Sequence, residues 1–207
     1  MKRAALGFRM HSGWGVLVAV DDAQQIVERR QIKVIRDDVD GGKQPYHHAE
    51  KLGLPAAEKY LDRYLSESNI VAHDVILNVV SELQGRGYHI VGVAVLQASS
   101  RTLPPLPQIL AAHPLIHTAE GKLFRDVIAH ACELSAIPCM GIPERELEDR
   151  ARQSLLGEGS KIIRAIAAAG RSLGPPWNAD HKRAALAACI TLHSQKESNT
   201  KGKALHG

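Results

Sequence analysis

The sequence predicts an α/β domain: one mixed sheet, a three-stranded antiparallel meander extended by parallel strands, flanked by helices. Three observations carry this. Two short apolar runs, AALGF and VLVAV, flank a glycine-bearing turn near the amino terminus. A valine-rich run, YHIVGVAVL, stands alone between long amphipathic stretches. Beyond it, helical spacing alternates with a short apolar segment, and a meander followed by helix–strand alternation buries its apolar faces best as a sheet covered on both sides.

Taken in order, residues 6–8 and 16–20 read as strands around the turn, and 24–35, QQIVERRQIKVI, continues in alternating apolar pattern as the third strand. The polar stretch RDDVDGGKQPYHH reads as a loop. From 56 to 83, Leu61, Leu65, Ile70, Val71, Val75, Ile76, Val79, Val80 and Leu83 recur at helical spacing, and Gly85-Arg86-Gly87 ends the helix. Residues 88–96 then form a strand apolar on both faces, as a buried central strand requires. The stretch QILAAHPLIHTAEGKLFRDVIAHACELS is helical and restarts at Pro114, a residue well suited to a first helical turn. IPCMGI gives a short strand, PERELEDRARQSL a helix with acids at its positive end, and KIIRAIAAAGRSLG and ADHKRAALAACITLHS two more helices. One domain over 1–194 and a flexible polar tail over 195–207 are expected.

Composition narrows the class. At 44% hydrophobic residues, the 207-residue chain can bury one sizeable core. The net charge of +4 is compatible with a nucleic-acid partner. Cys132, Cys139 and Cys189 are odd in number and lack C-x-x-C spacing, which suggests neither a disulfide framework nor a zinc knuckle and points to a reducing cytoplasm. The opening apolar run is too short for a signal peptide and no run reaches membrane-spanning length, so a cytoplasmic chain without a membrane partner is expected.

Three segments carry a family resemblance: ALGFRMHSGWGVLVAV at the start, AEGKLFRDVIAHACELSAIPCMGIPERELEDRA in the middle, and NADHKRAALAACITLH at the end. Together with the order of elements they resemble the ribonuclease H-like superfamily, specifically its RuvC-type resolvase branch. The resemblance implies a ribonuclease H-like mixed sheet, a nucleic-acid partner (DNA or RNA), and a metal-dependent nuclease acting on phosphodiester bonds through Mg or Mn held by carboxylates. It also admits a homodimer. Carried over by residue, Glu120 stands for the family's glutamate and Asp180 for the aspartate of the last helix. Two departures mark this chain. Arg9 stands where the first strand normally bears an aspartate, and Arg183 and Ala184 stand where a further acid is expected. Arginine cannot ligate a metal, so a non-catalytic module that binds nucleic acid or protein is the alternative. A nucleotide-binding reading akin to the sugar-kinase and actin group normally needs a duplicated domain and a second phosphate loop, which a single 207-residue domain would have to supply by dimerising.

The candidate site residues follow. His113, His117, Glu120 and Phe124 fall at steps of four, three and four and line one helical face. His117 and Glu120, with His11 from the first hairpin and Asp180 from the last helix, make a candidate catalytic set, of which Glu120, Asp180 and His11 are the candidate metal ligands. Arg9, Ser12 and Lys182 are candidate contacts to phosphate or nucleic acid. The competing reading is a hydrogen-bonded polar cluster at the end of the sheet, with His11 and Ser12 as ordinary turn residues. In KQPYHHAEK, adjacent His47 and His48 point about a hundred degrees apart on a helix and make a poor chelating pair, so a solvated loop is expected. In GPPW the prolines read as helix punctuation and Asn178 or Asp180 as the cap of the helix that follows, with Trp177 stacking on a base or lining a pocket as the alternative to a structural place.

Overall fold

The computed structural model describes residues 1–98, 102–155 and 157–204, with side chains of the last helix through Gln195. β1 (Lys2–Met10), β2 (Trp14–Asp21) and β3 (Ile26–Lys33) form the expected meander. The β1–β2 corner is closed by the His11 amide donating to the Trp14 carbonyl at 2.7 Å, with Gly13 at φ 78°, where a side chain would be strained. β1 pairs antiparallel with β2 (Phe8 opposite Leu17, Arg9 opposite Val16) and parallel with β4 (Tyr88–Gln97; Leu6 beside Val93). β4 pairs parallel with β5 (Cys139–Pro143), completing the sheet order β3-β2-β1-β4-β5.

Strand alternation sorts side chains to two layers. Leu6, Phe8 and Met10 of β1 and Leu17 of β2 face a core built with α2 (Leu54–Gly85) and α4 (His113–Leu134). Tyr64, Ile76, Phe124 and Ile128 fill that layer, and burial of each such side chain contributes about 1.5–3 kcal/mol. Val16, Val18 and Val20 face the other layer, where α8 (Ala179–Ala204) lies over the sheet with Ala184, Ala185, Ala187 and Ala188 fully buried. α5 (Leu147–Ser154) and α6 (Gly159–Ala168) flank α8 there, and the short α7 (Gly170–Leu173) leads to it.

Several local readings change. The stretch expected to be a solvated loop contains a helical turn, α1 (Pro45–Ala49), begun by a proline in its first turn. A second short helix, α3 (Leu106–Leu110), precedes α4, whose start at His113 places Pro114 in the first turn as the sequence suggests. α8 runs on through the polar segment 195–204 to Ala204, and 205–207 lie outside the described residues. α8 is capped by Asn178, whose Oδ1 accepts from the amides of Asp180 (3.1 Å) and His181 (3.3 Å). Its approach is fixed by Arg29 of β3, which donates to the carbonyls of Leu173 (2.6 Å), Gly174 (2.8 Å) and Pro176 (2.6 Å). Trp177 has a structural place: its indole donates to the Ile166 carbonyl at 2.8 Å.

All three cysteines are free, and they differ in reactivity. Cys139 is exposed, and its hydrogen bond with Cys132 holds its thiol below the usual range; that same bond, with burial, pushes Cys132 up, and burial pushes Cys189 up to about 12. Iodoacetamide at neutral pH is therefore expected to label Cys139 alone in the native chain, with Cys132 and Cys189 reacting only after denaturation. Peptide mass spectrometry before and after unfolding measures this, and native labelling of Cys189 would contradict the burial described.

Candidate functional site

The parallel strands β1, β4 and β5 end at one edge of the sheet, the edge at which α/β sheets generally present their ligands. Alternation turns Arg9 toward α8, next to the β1–β2 corner. Its Nε lies 3.2 Å from Glu144 Oε1, in the 3-10 turn that follows β5 (Glu144–Glu146), and 3.2 Å from Asp180 Oδ1 in the first turn of α8. Because Asn178 supplies the cap, the Asp180 carboxylate is left for this pairing. Arg183, one turn along α8, reaches the same Glu144 oxygen at 2.9 Å.

His11 completes the cluster. Its Nε2 lies 2.7 Å from Arg9 Nη1 and 2.9 Å from Asp180 Oδ2, and its ring stacks on Trp14 at 4.3 Å between centroids. One nitrogen cannot accept from the guanidinium and donate to the carboxylate at once, so the position of a single imidazole proton selects the partner. Two guanidinium groups thus face two carboxylates around one imidazole, with side chains 18–31% exposed for Arg9, His11, Glu144 and Asp180.

A carboxylate-held divalent ion does not fit this arrangement. The permanent cation of Arg9 stands 3.2 Å from both carboxylates, and a metal ion beside it would meet like charge and already neutralised ligands. Of the other predicted contacts, Ser12 is exposed at the corner and Lys182 is half-buried beside Arg183.

Glu120 is not part of this cluster. It belongs to α4, on the layer opposite α8, which is why the convergence with His11 and Asp180 expected from the family resemblance does not occur. Its Oε1 accepts from the backbone amides of Tyr46 and His47, each at 3.2 Å, and pairs with His47 Nδ1 at 2.9 Å. At 3% exposure, this carboxylate is held by three donors from α1. His113 and His117 stand one turn apart with their Nε2 atoms 3.0 Å apart, and their rings meet His47 edge-on at centroid distances of 5.0 and 4.8 Å. His117 thus joins His113, His47 and Glu120.

A cavity of about 720 Å³ opens at the ends of β4 and β5. Lys122, Arg145 and Arg150 line it, with Asp126 and Glu146 interleaved. At its floor, Gln97 Oε1 accepts from Arg125 Nε at 3.2 Å, and burial draws the Arg125 guanidinium below its usual range against the pull of Asp126 and Glu144.

Sequence reasoning passed over Glu144, Arg183 and His47 as members of these clusters. Glu144 looked like a helix-opening acid, and no spacing rule joins it to Arg9, 135 residues away. His47 carried one signal, a proline two residues earlier that could start a helical turn.

No protein-family model and no curated protein sequence matches the chain. Among solved structures it is similar to Thermus thermophilus RuvC in complex with a Holliday junction substrate, with a TM-score of 0.52 and 12% identity over 95% of each chain. A Thermus thermophilus RuvC structure gives a TM-score of 0.49 and 11% identity, covering 95% of this chain and 96% of that one. Likeness at such identity concerns the fold. The strand order, the helices on both layers and the coverage by the junction-bound RuvC agree: the chain has the ribonuclease H-like fold in its RuvC-type form.

Proposed function

We propose that the chain binds nucleic acid along the carboxyl edge of its sheet, and that the edge works through guanidinium groups instead of a carboxylate-held metal. The observation that carries this is Arg9 bridging Glu144 and Asp180. A phosphate oxygen can replace a carboxylate as the partner of Arg9 or Arg183, since the same planar donors serve both anions. Around the cavity, Lys122 pairs with Asp126 and Arg150 with Glu146 one helical turn apart. Such exposed, solvent-screened pairs contribute little, so a phosphate backbone exchanges for them at little cost. The solved RuvC of the same fold, in complex with a Holliday junction substrate, supports a branched or structured duplex as ligand.

The test is binding of the full chain to a four-way DNA junction and to an RNA–DNA hybrid over a salt series. Affinity is expected to fall linearly on logarithmic axes, with a slope of about −0.9 per phosphate neutralised, and Lys122→Glu combined with Arg150→Glu is expected to weaken it at least about 10-fold. Absence of binding at low salt, or binding insensitive to salt, would overturn the reading and favour a protein-binding module. Cleavage in Mg²⁺ or Mn²⁺ that Asp180→Asn abolishes would refute the exclusion of metal chemistry at this edge.

A further inference from the structure

We propose that His47, His113 and His117 form a binding site for a divalent transition metal of the zinc class, with one coordination position open to solvent. One ring nitrogen from each histidine lies within 4.8 Å of the other two. Zinc–imidazole bonds of about 2.0–2.1 Å put tetrahedral nitrogens roughly 3.4 Å apart. The His113–His117 separation of 3.0 Å is already close to that, and the third ring needs only a small side-chain adjustment.

The way these rings are held distinguishes them from surface histidines. His113 and His117 project from the same face of α4 one turn apart, the spacing by which one helix offers two imidazoles to one ion. His47 comes from α1 and meets both rings edge-on instead of stacking on them, as convergent ligands do. Its Nδ1 is engaged by the Glu120 carboxylate at 2.9 Å, which makes Nδ1 the proton-bearing nitrogen and leaves Nε2 with its lone pair for a metal. A carboxylate behind an imidazole is the usual second layer of a histidine–metal site, fixing both tautomer and ring orientation. Glu120 is itself fixed by the Tyr46 and His47 amides, so the orientation of His47 is built into the α1–α4 junction.

Donor chemistry selects the metal. Three neutral imidazoles suit zinc, cobalt and nickel, whereas magnesium and calcium require oxygen ligands. Three protein ligands leave a tetrahedral ion one position short, and the exposure of His113 and His117 directs that position outward, where water would occupy it.

The test uses the full chain, free of any affinity tag and stripped with a chelator. Titration with Zn²⁺ against a chromophoric competitor is expected to give one equivalent bound, and Co²⁺ to give the intense visible bands of a tetrahedral site. His117→Ala and His47→Ala are expected to lower Zn²⁺ affinity at least about 100-fold, and Glu120→Gln by about 10–100-fold. His130→Ala, which removes an exposed imidazole farther along α4, should leave it unchanged. His113 and His117 are exposed, so their variants keep the fold, and circular dichroism verifies this for each protein. No stoichiometric Zn²⁺ binding by the wild-type chain, or His47→Ala and His117→Ala binding Zn²⁺ as tightly as the wild type, would overturn the assignment. Retention of Mg²⁺ in place of Zn²⁺ would do the same. The readout is metal binding alone, so it stands or falls separately from recognition of nucleic acid.

Discussion

Replacing Arg9 with aspartate is expected to destabilise the chain by about 3 kcal/mol and to create a dependence on Mg²⁺ that the native protein lacks. The reason is local. Arg9 Nε sits 3.2 Å from both Glu144 and Asp180, and the three side chains are only 18–25% exposed. Removing one partner from a buried ion pair costs about 3–5 kcal/mol, chiefly because the charge left behind is desolvated and uncompensated. The residual solvent access here and the second guanidinium, Arg183 at 2.9 Å from Glu144, put the value at the lower end. For a domain of this size that corresponds to a fall in Tm of roughly 6–12 °C. In Arg9→Asp a third carboxylate joins the other two, and oxygen ligands of that kind suit Mg²⁺. Thermal unfolding with and without 10 mM Mg²⁺, a concentration of about the order at which weak oxygen-ligand sites fill, should therefore raise the Tm of Arg9→Asp and leave the native Tm unmoved. Equal Mg²⁺ shifts in both proteins, or an unchanged Tm for the variant without metal, would mean that the guanidinium does not hold this edge together. Arg9→Lys keeps the charge but cannot span Glu144, Asp180 and His11 together, and is expected to lie between the two.

The same edge shows which parts of the molecule are legible in sequence. The meander and the valine-rich β4 follow from local pattern, because period-2 alternation and a run apolar on both faces are properties of adjacent residues. The parity that turns Arg9 toward α8 is legible for the same reason. Helical faces are less certain over distance. In the 32-residue α2, Tyr60, Tyr64, Ile76, Val79 and Leu83 are buried, while Leu65 and Ile70, on the same predicted stripe, are exposed. The buried side chains run the whole length of the helix, from Ala57 to Leu83, along one narrow face, and Leu65 and Ile70 lie off it; which part of a wide apolar stripe is covered is decided by what lies opposite.

The site residues divide along the same line. His11, taken from the first hairpin, and Asp180, placed by family resemblance, lie 2.9 Å apart because the fold carries the last helix over the first strand. The same resemblance places Glu120 with Asp180, yet a match of short segments says nothing about which side of the sheet the helix bearing Glu120 occupies. Its partners, Tyr46 and His47, come from a segment whose helical turn is too short for periodicity to reveal. Contacts made at 73 or 135 residues' separation depend on topology, so the chemistry of each cluster became readable only once α1, α4 and α8 had been assigned to layers.

Gly7→Val is expected to be the most damaging substitution in the sheet, because α8 rests directly on the β1 backbone at that point. A Cβ added to Gly7 would run into the carbonyl oxygen of Ala184 and lie 2.9 Å from its carbonyl carbon and 3.0 Å from the Ala188 amide nitrogen. These are backbone atoms, so no side chain can rotate away, and α8 cannot lift without exposing Ala184, Ala185, Ala187 and Ala188. Overpacking a core with side chains alone costs about 1–3 kcal/mol; a clash against helix backbone should exceed that range even for Gly7→Ala, with Gly7→Val failing to fold at 37 °C, a temperature about 10 °C short of typical unfolding midpoints. The consequence reaches the candidate site, since displacing α8 carries Asp180 and Arg183 away from Arg9 and Glu144. Urea denaturation of Gly7→Ala should therefore show a lower midpoint, and nucleic-acid affinity at low salt should fall with it. Gly85→Ala, where an added Cβ meets nothing within 4 Å, is the matched control and should leave both quantities within about 0.5 kcal/mol of native. A Gly7→Ala midpoint equal to that of Gly85→Ala would show that α8 does not lie against β1 as closely as described, and the pairing of Asp180 with Arg9 would lose its structural basis.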